Sequence, residues 1–263
     1  MTDADATGKV VIRRVIDDAS DVILAFGDFG GFHAAYSDHV RLWSIAPDPL
    51  GEVMMKQALA GAALYLSCRP RDETVAWTLN IQKPPTNVFF TGSSDGAAVT
   101  GRVFSEGVQT AAESRLFVET SRPRMSALRS VIDVVGLDVL EILEAYSRQS
   151  DQSRSRYLEL GGDRYFMATS LPGTTGASHW LDGLTPEIAT KAIGDFRVLD
   201  ERTFWFQCGC DFDRMVEVIR GIYKDAIDEL FGDDDSVEVG CPRCGRNWRL
   251  GRDRFGGEPT SEA

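Results

Sequence analysis

Hydrophobic and polar positions alternate along the first two thirds of the chain in a way that predicts strands, broken by two stretches with helical spacing. Val10-Val-Ile-Arg-Arg-Val and Val22-Ile-Leu-Ala-Phe read as strands. From Gly51 to Leu66, Met54, Met55, Ala58, Leu59, Ala62, Ala63 and Leu66 recur at helical spacing, and the many alanines would let another element approach closely. Thr74-Val-Ala-Trp-Thr-Leu-Asn-Ile alternates strictly. Asn87-Val-Phe-Phe-Thr, Ala98-Val-Thr-Gly-Arg-Val-Phe and Arg115-Leu-Phe-Val-Glu-Thr continue the strand series, punctuated by Pro84-Pro85 and by Gly92 to Gly96. Leu137 to Tyr146 fits a second helix. Arg156-Tyr-Leu-Glu-Leu and Arg164-Tyr-Phe-Met-Ala-Thr flank Gly161-Gly-Asp163 as a hairpin.

After Leu171-Pro-Gly173 the texture changes. Thr174-Thr-Gly-Ala-Ser reads as a loop, and Thr185-Pro186 carries a helix-start pattern. Thr203-Phe-Trp-Phe leads as a strand into Cys208. Phe212, Met215, Val216, Ile219, Tyr223, Ile227 and Leu230 then form an apolar stripe capped by Asp211, with Gly221 and Gly232 marking a break and a stop. Asn247-Trp-Arg-Leu closes the series as a short strand. The expected fold class is α+β: a mixed α/β core domain over residues 1–173, with a β-sheet and packed helices, then a linker over 174–205. A small C-terminal four-cysteine module over 206–252 and a disordered tail over 253–263 complete it.

Composition narrows the function classes. Hydrophobic residues make up 43% and charged residues 26% of the 263 residues, which is ordinary globular usage. A formal net charge of −12 repels polyanions, so no nucleic-acid partner is expected. Arg243, Arg246, Arg249, Arg252 and Arg254 form a local exception, read as balancing the excess negative charge of the four-cysteine module and the Asp233-Asp234-Asp235 run. No apolar run is long enough to span a bilayer, so no membrane partner is expected. The acidic, polar start Met1-Thr-Asp-Ala-Asp-Ala-Thr lacks the features of a secretory signal, and a cytoplasmic location is expected. No phosphate-binding loop, nucleotide fingerprint or His–carboxylate–nucleophile motif stands out, so the chain reads as a non-enzyme.

The chemistry concentrates in Cys208-Gly-Cys210 and Cys241-Pro-Arg-Cys244. Two close pairs can converge on one tetrahedral ion, and four thiolates without histidine make a soft site suited to zinc. The metal ligands are therefore Cys208, Cys210, Cys241 and Cys244, and a segment this small would draw much of its stability from the metal. The same spacing also lets each pair oxidise locally, so the site reads either as a redox switch or as a static staple. A thiol oxidoreductase would rest on Cys241-Pro-Arg-Cys244 alone, without the strand and helix start that such a motif needs. Cys68 reads as a buried small hydrophobe, and His33, His39 and His179 as isolated surface or core residues.

Here the chain resembles a known family, heat shock protein 33, the redox-regulated holdase chaperone of bacteria. Phe206-Gln-Cys208-Gly-Cys210, the helical interval and Val237-Glu-Val-Gly-Cys241-Pro-Arg-Cys244-Gly carry the resemblance. Tyr146-Ser-Arg-Gln149-Ser150-Asp151-Gln152 adds a second match independent of the cysteines, with Asp151 where the family usually has Glu. Gly101-Arg-Val-Phe stands where the family has Arg-Gly-aromatic. The resemblance implies an inactive reduced state with zinc on the four cysteines. Oxidation then releases the metal, pairs Cys208 with Cys210 and Cys241 with Cys244, and exposes apolar surface. The resulting dimer holds unfolding client proteins without ATP. The interval from Pro172 to Cys208 is short and poor in large apolar residues for that family. It favours an alternative: a non-enzymatic zinc-ribbon interaction protein with a static structural zinc.

Overall fold

A computed structural model describes residues 8–255, apart from Ala46, Pro172, Thr175, Gly176 and Asp225. The chain divides into two compact units between Gln207 and Cys208.

The first unit is built on a ten-stranded sheet in the order β7-β6-β3-β4-β5-β10-β1-β2-β9-β8. Its strands are β1 (Lys9–Asp17), β2 (Val22–Asp28), β3 (Thr74–Gln82), β4 (Pro85–Ser93), β5 (Ala98–Phe104), β6 (Arg115–Ser121), β7 (Leu128–Asp133), β8 (Ser155–Glu159), β9 (Arg164–Ser170) and β10 (Arg197–Phe206). Neighbours run antiparallel except β5 and β10, which meet in parallel at Trp205↔Ala98 and Phe206↔Val99. The expected hairpin across Gly161-Gly-Asp163 is present as β8 and β9.

Among the described residues this unit holds five helices: α1 (Gly30–Leu42), α2 (Pro49–Ser67), α3 (Val139–Gln149), α4 (Ala177–Asp182) and α5 (Pro186–Asp195). α2 is apolar nearly all round and buried accordingly; it packs against β4, β5 and α3. Small residues set how closely α3 approaches, since a Cβ on Gly61 would lie 2.4 Å from Leu143 Cδ1. At the centre, Trp77 stacks on Phe90 with ring centroids 5.0 Å apart, and Tyr65 meets Trp77 edge-on. β2 and β9 are buried on both faces: Ala25, Tyr165 and Met167 join the large core, whereas Leu24, Phe166 and Ala168 join a second cluster with Leu181 of α4, Ala189 of α5 and Leu184 between them. That double burial explains the unbroken apolar run Tyr165–Ala168.

Residues 174–205, expected as a linker, contain α4, α5 and β10 instead. β10 pairs with β1 from Lys9↔Trp205 to Ile16↔Arg197, inside the sheet. Its polar run is stable there because the charges are paired: Arg14 Nη1 donates to Asp200 Oδ1 at 3.0 Å, and Arg202 Nη1 to the Arg69 carbonyl at 2.9 Å. α5 opens on the expected start, with Thr185 Oγ1 accepting from Ile188 N and Pro186 in the first turn.

The second unit contains α6 (Phe212–Ile222), α7 (Ile227–Phe231), the antiparallel pair β11 (Ser236–Gly240) and β12 (Asn247–Gly251), and a 3-10 turn at Arg252–Arg254. The apolar stripe from Phe212 to Leu230 is therefore two helices. Of the expected tail 253–263, Asp253 and Arg254 are in the turn, and residues 256–263 lie outside the described residues.

Candidate metal centre

Two local structures carry the sulfurs. Cys208 and Cys210 precede α6, whose N-cap Asp211 accepts from Arg214 N at 2.8 Å. The Arg214 guanidinium turns back to donate to the Gly209 carbonyl at 2.7 Å, which braces the Cys-Gly-Cys turn. Cys241 and Cys244 sit on the turn between β11 and β12. Cys241 N donates to the Arg246 carbonyl at 2.8 Å and Gly245 N to the Cys241 carbonyl at 2.9 Å. Gly245 takes φ +78°, a conformation open to glycine at little cost, so the residue after Cys244 is what lets the turn close.

The four cysteines named from the sequence come together, with all Sγ atoms within 4.8 Å of one another. Cys208 Sγ lies 3.9 Å from Cys241 Sγ, and Cys210 Sγ 3.4 Å from Cys244 Sγ. Sulfurs about 2.3 Å from a common tetrahedral ion lie about 3.8 Å apart, so the arrangement fits a single metal ion. No disulfide joins any of the four. Cys241 and Cys244 are buried, Cys208 and Cys210 half-buried.

The electrostatics also suit a cation. Hydrogen bonds from Cys208 and Cys244 pull the Cys241 thiol well below its usual range against the effect of burial, helped by the backbone N–H groups of Arg243 and Cys244. Cys244 is pushed up by its hydrogen bonds with Cys208 and Cys241 and by burial, while the Arg246 N–H favours its thiolate. Cys210 is pushed up to about 12, first by burial and then by Cys208. One thiolate thus forms readily and opposes the others; a divalent cation removes that opposition. The N–H groups of Arg243, Cys244 and Arg246 are the feature that sequence reasoning missed, and the Cys-Pro-Arg-Cys-Gly spacing was its available signal.

The arginine cluster is engaged within the unit, though with other acids than the expected run. Arg252 Nη1 pairs with Asp228 at 2.9 Å and Arg254 Nη2 with Asp213 at 3.2 Å. The remaining singled-out residues belong to the first unit. Cys68 is half-buried against the large core, and burial raises its thiol. His33 is buried with Nδ1 2.7 Å from Asp163 Oδ1, and His39 lies 5.6 Å from the Phe206 ring. The side chain of His179 lies outside the described residues. The Gln149–Gln152 segment ends α3, and Asp151 Oδ2 accepts from Tyr65 Oη at 2.7 Å.

Among the described residues, no helix is long and apolar enough to cross a membrane. In sequence, 80 residues of the chain are 32% identical to a 33 kDa chaperonin of Lachnoclostridium phytofermentans, a stretch covering 29% of this chain and 27% of that relative. The solved 33 kDa chaperonin (heat shock protein 33 homolog) of Thermotoga maritima has the same fold, with a TM-score of 0.70 over 94% of this chain and 96% of that one at 14% identity. The family model described as Hsp33 protein matches residues 32–251. With that match spanning both units, the chain belongs to the heat shock protein 33 family.

Proposed function

We propose that the protein is a redox-regulated, ATP-independent holdase chaperone of the cytoplasm, non-enzymatic, whose switch is a zinc ion held by Cys208, Cys210, Cys241 and Cys244. The observation that carries the reading is the convergence of these sulfurs within 4.8 Å in a member of this family. Zinc suits the donor set because it accepts tetrahedral sulfur ligands and has no redox chemistry of its own. Thiolates are the form that oxidants attack, and the half-buried Cys208 and Cys210 are the accessible pair. Two equivalents of a peroxide accept four electrons from four thiolates. Cys208–Cys210 and Cys241–Cys244 disulfides form, the peroxide oxygens leave as water, and Zn²⁺ departs for lack of ligands. Clients of this state are unfolding proteins, and the oxidised chain forms a homodimer.

Zinc release, free thiols and suppression of client light scattering, measured before and after peroxide, test the reading. The expected result is one zinc released and four thiols lost per chain, together with suppressed aggregation. Zinc release without any suppression overturns the chaperone function. The burial of Cys241 and Cys244 favours the alternative of a static structural zinc in an interaction module, and retention of zinc under peroxide would establish it.

A further inference from the structure

We infer that a small cavity in the first unit, between the end of α3, the start of β8 and α4, binds a tetrahedral oxyanion, with inorganic phosphate as its simplest ligand. The cavity holds about 150 Å³ and is lined by Glu144, Arg148, Arg154, Ser155, Arg156 and Asp182, with Leu181 behind them. Three guanidinium groups face two carboxylates there. Arg154 Nη2 pairs with Asp182 at 2.5 Å, and Arg156 Nη1 with Glu144 at 2.9 Å. Glu144 is further committed, since its Oε1 accepts from Tyr157 N at 2.8 Å. One cation and one buried donor are left over. Arg148 has no ion-pair partner among the described residues, and Arg156 Nε is shut off from solvent with no hydrogen-bond partner. A buried N–H without an acceptor is unfavourable, and the unneutralised Arg148 in the same lining calls for an anion.

Size and charge select the ligand class. Ordinary organic-ligand pockets begin near ~300 Å³, so this one admits a phosphate or sulfate with a few waters and is too small for a nucleotide. The excess positive charge disfavours a metal cation, and the polar walls disfavour an apolar guest. Guanidinium forks match tetrahedral oxyanions through paired N–H···O bonds. The whole chain carries a net charge of −12, so the binding must come from this local geometry rather than from a general attraction for anions. Asp182 competes with the ligand for Arg154.

Isothermal titration of the full chain with inorganic phosphate, at ionic strength fixed with chloride, tests the site. The expected result is saturable binding on the order of 1 mM or tighter. Arg148→Gln should weaken it at least tenfold with an unchanged melting temperature in the absence of phosphate, because Arg148 is exposed and unpaired. Asp182→Asn should tighten it several-fold by releasing Arg154. Glycerol phosphate as a second probe separates a site that takes the phosphate end of a small ester from one that takes the free ion, and binding of either supports the site. Absence of saturable binding for both probes overturns the inference, as does an affinity that Arg148→Gln leaves unchanged.

Discussion

Gly101 lies on β5 at a point where no side chain fits: a Cβ there would sit 2.4 Å from Met55 Cε and 2.6 Å from the Phe89 carbonyl oxygen. The methionine can rotate away, but the backbone of β4 cannot, so Gly101→Ala should destabilise the first unit by about 2 kcal/mol, a fall of roughly 6 °C in melting temperature. An unchanged melt followed by circular dichroism would contradict this. Glu73 poses a different residue-scale problem. It is fully buried and accepts from Arg69 Nε at 2.7 Å and from Arg122. Burial alone would raise its carboxyl, but the hydrogen bonds and charges of Arg69 and Arg122 outweigh this and hold it below the usual range. Its contribution is therefore complete above the unfolded value near ~4.3 and disappears as pH falls through the lower folded value. Glu73→Gln should cost about 2–3 kcal/mol at pH 7, because two half-buried arginines lose their partner. Urea titrations of both proteins should show that gap closing as the pH falls below the unfolded value; a gap of constant size would exclude the ionised pair as its source.

At the scale of elements, what was legible depended on whether burial or pairing made the element. α2, β3 and the β8–β9 hairpin followed from apolar spacing because their apolar residues are the ones that the core takes in. Asp211 was readable as the start of α6, and its side chain does accept from Arg214 N. Asp211→Ala should accordingly cost about 1 kcal/mol of metal-loaded second-unit stability, read as a lower chelator concentration for half-unfolding. An unchanged midpoint would show that the turn before α6 is fixed by other contacts. Three elements left weaker marks. α1 opens on Gly30-Gly31 with no side-chain cap, so it lacks a start signal. β7 is the last strand of the sheet, with Leu128 and Val131 exposed, and so has no clean inward–outward alternation. β10 reads Arg-Val-Leu-Asp-Glu-Arg, and only its partners reveal why a polar run can lie inside a sheet: Arg14 and the Arg69 carbonyl are supplied by distant residues. The convergence of the four cysteines was legible because cysteine spacing is local chemistry. Its supporting N–H groups were not, because they depend on the turn that Gly245 closes.

At the scale of the whole molecule, the two units differ in what holds them. The first has a large core on one face of its sheet and a second cluster on the other. Among the described residues of the second, the buried apolar side chains beside Cys241 and Cys244 are Met215, Val216, Phe231 and Leu250. Four such side chains are a small core for a unit of this length. A metal bound by the four sulfurs would add a large stabilising contribution to so small a core. Chelation should therefore unfold one unit and spare the other. In hydrogen exchange followed by mass spectrometry, amides of residues 208–255 should lose protection on metal removal while those of the large core keep theirs. The boundary is the sharper part of the expectation. Were residues 174–205 a linker, loss of protection would spread back to the end of β9. β10 instead shares hydrogen bonds with β1 along its length and meets β5 at its end. It should stay protected with those strands, and the break should fall between Gln207 and Cys208. Loss of protection in β10 on chelation alone would show that this strand draws its stability from the metal unit rather than from the sheet.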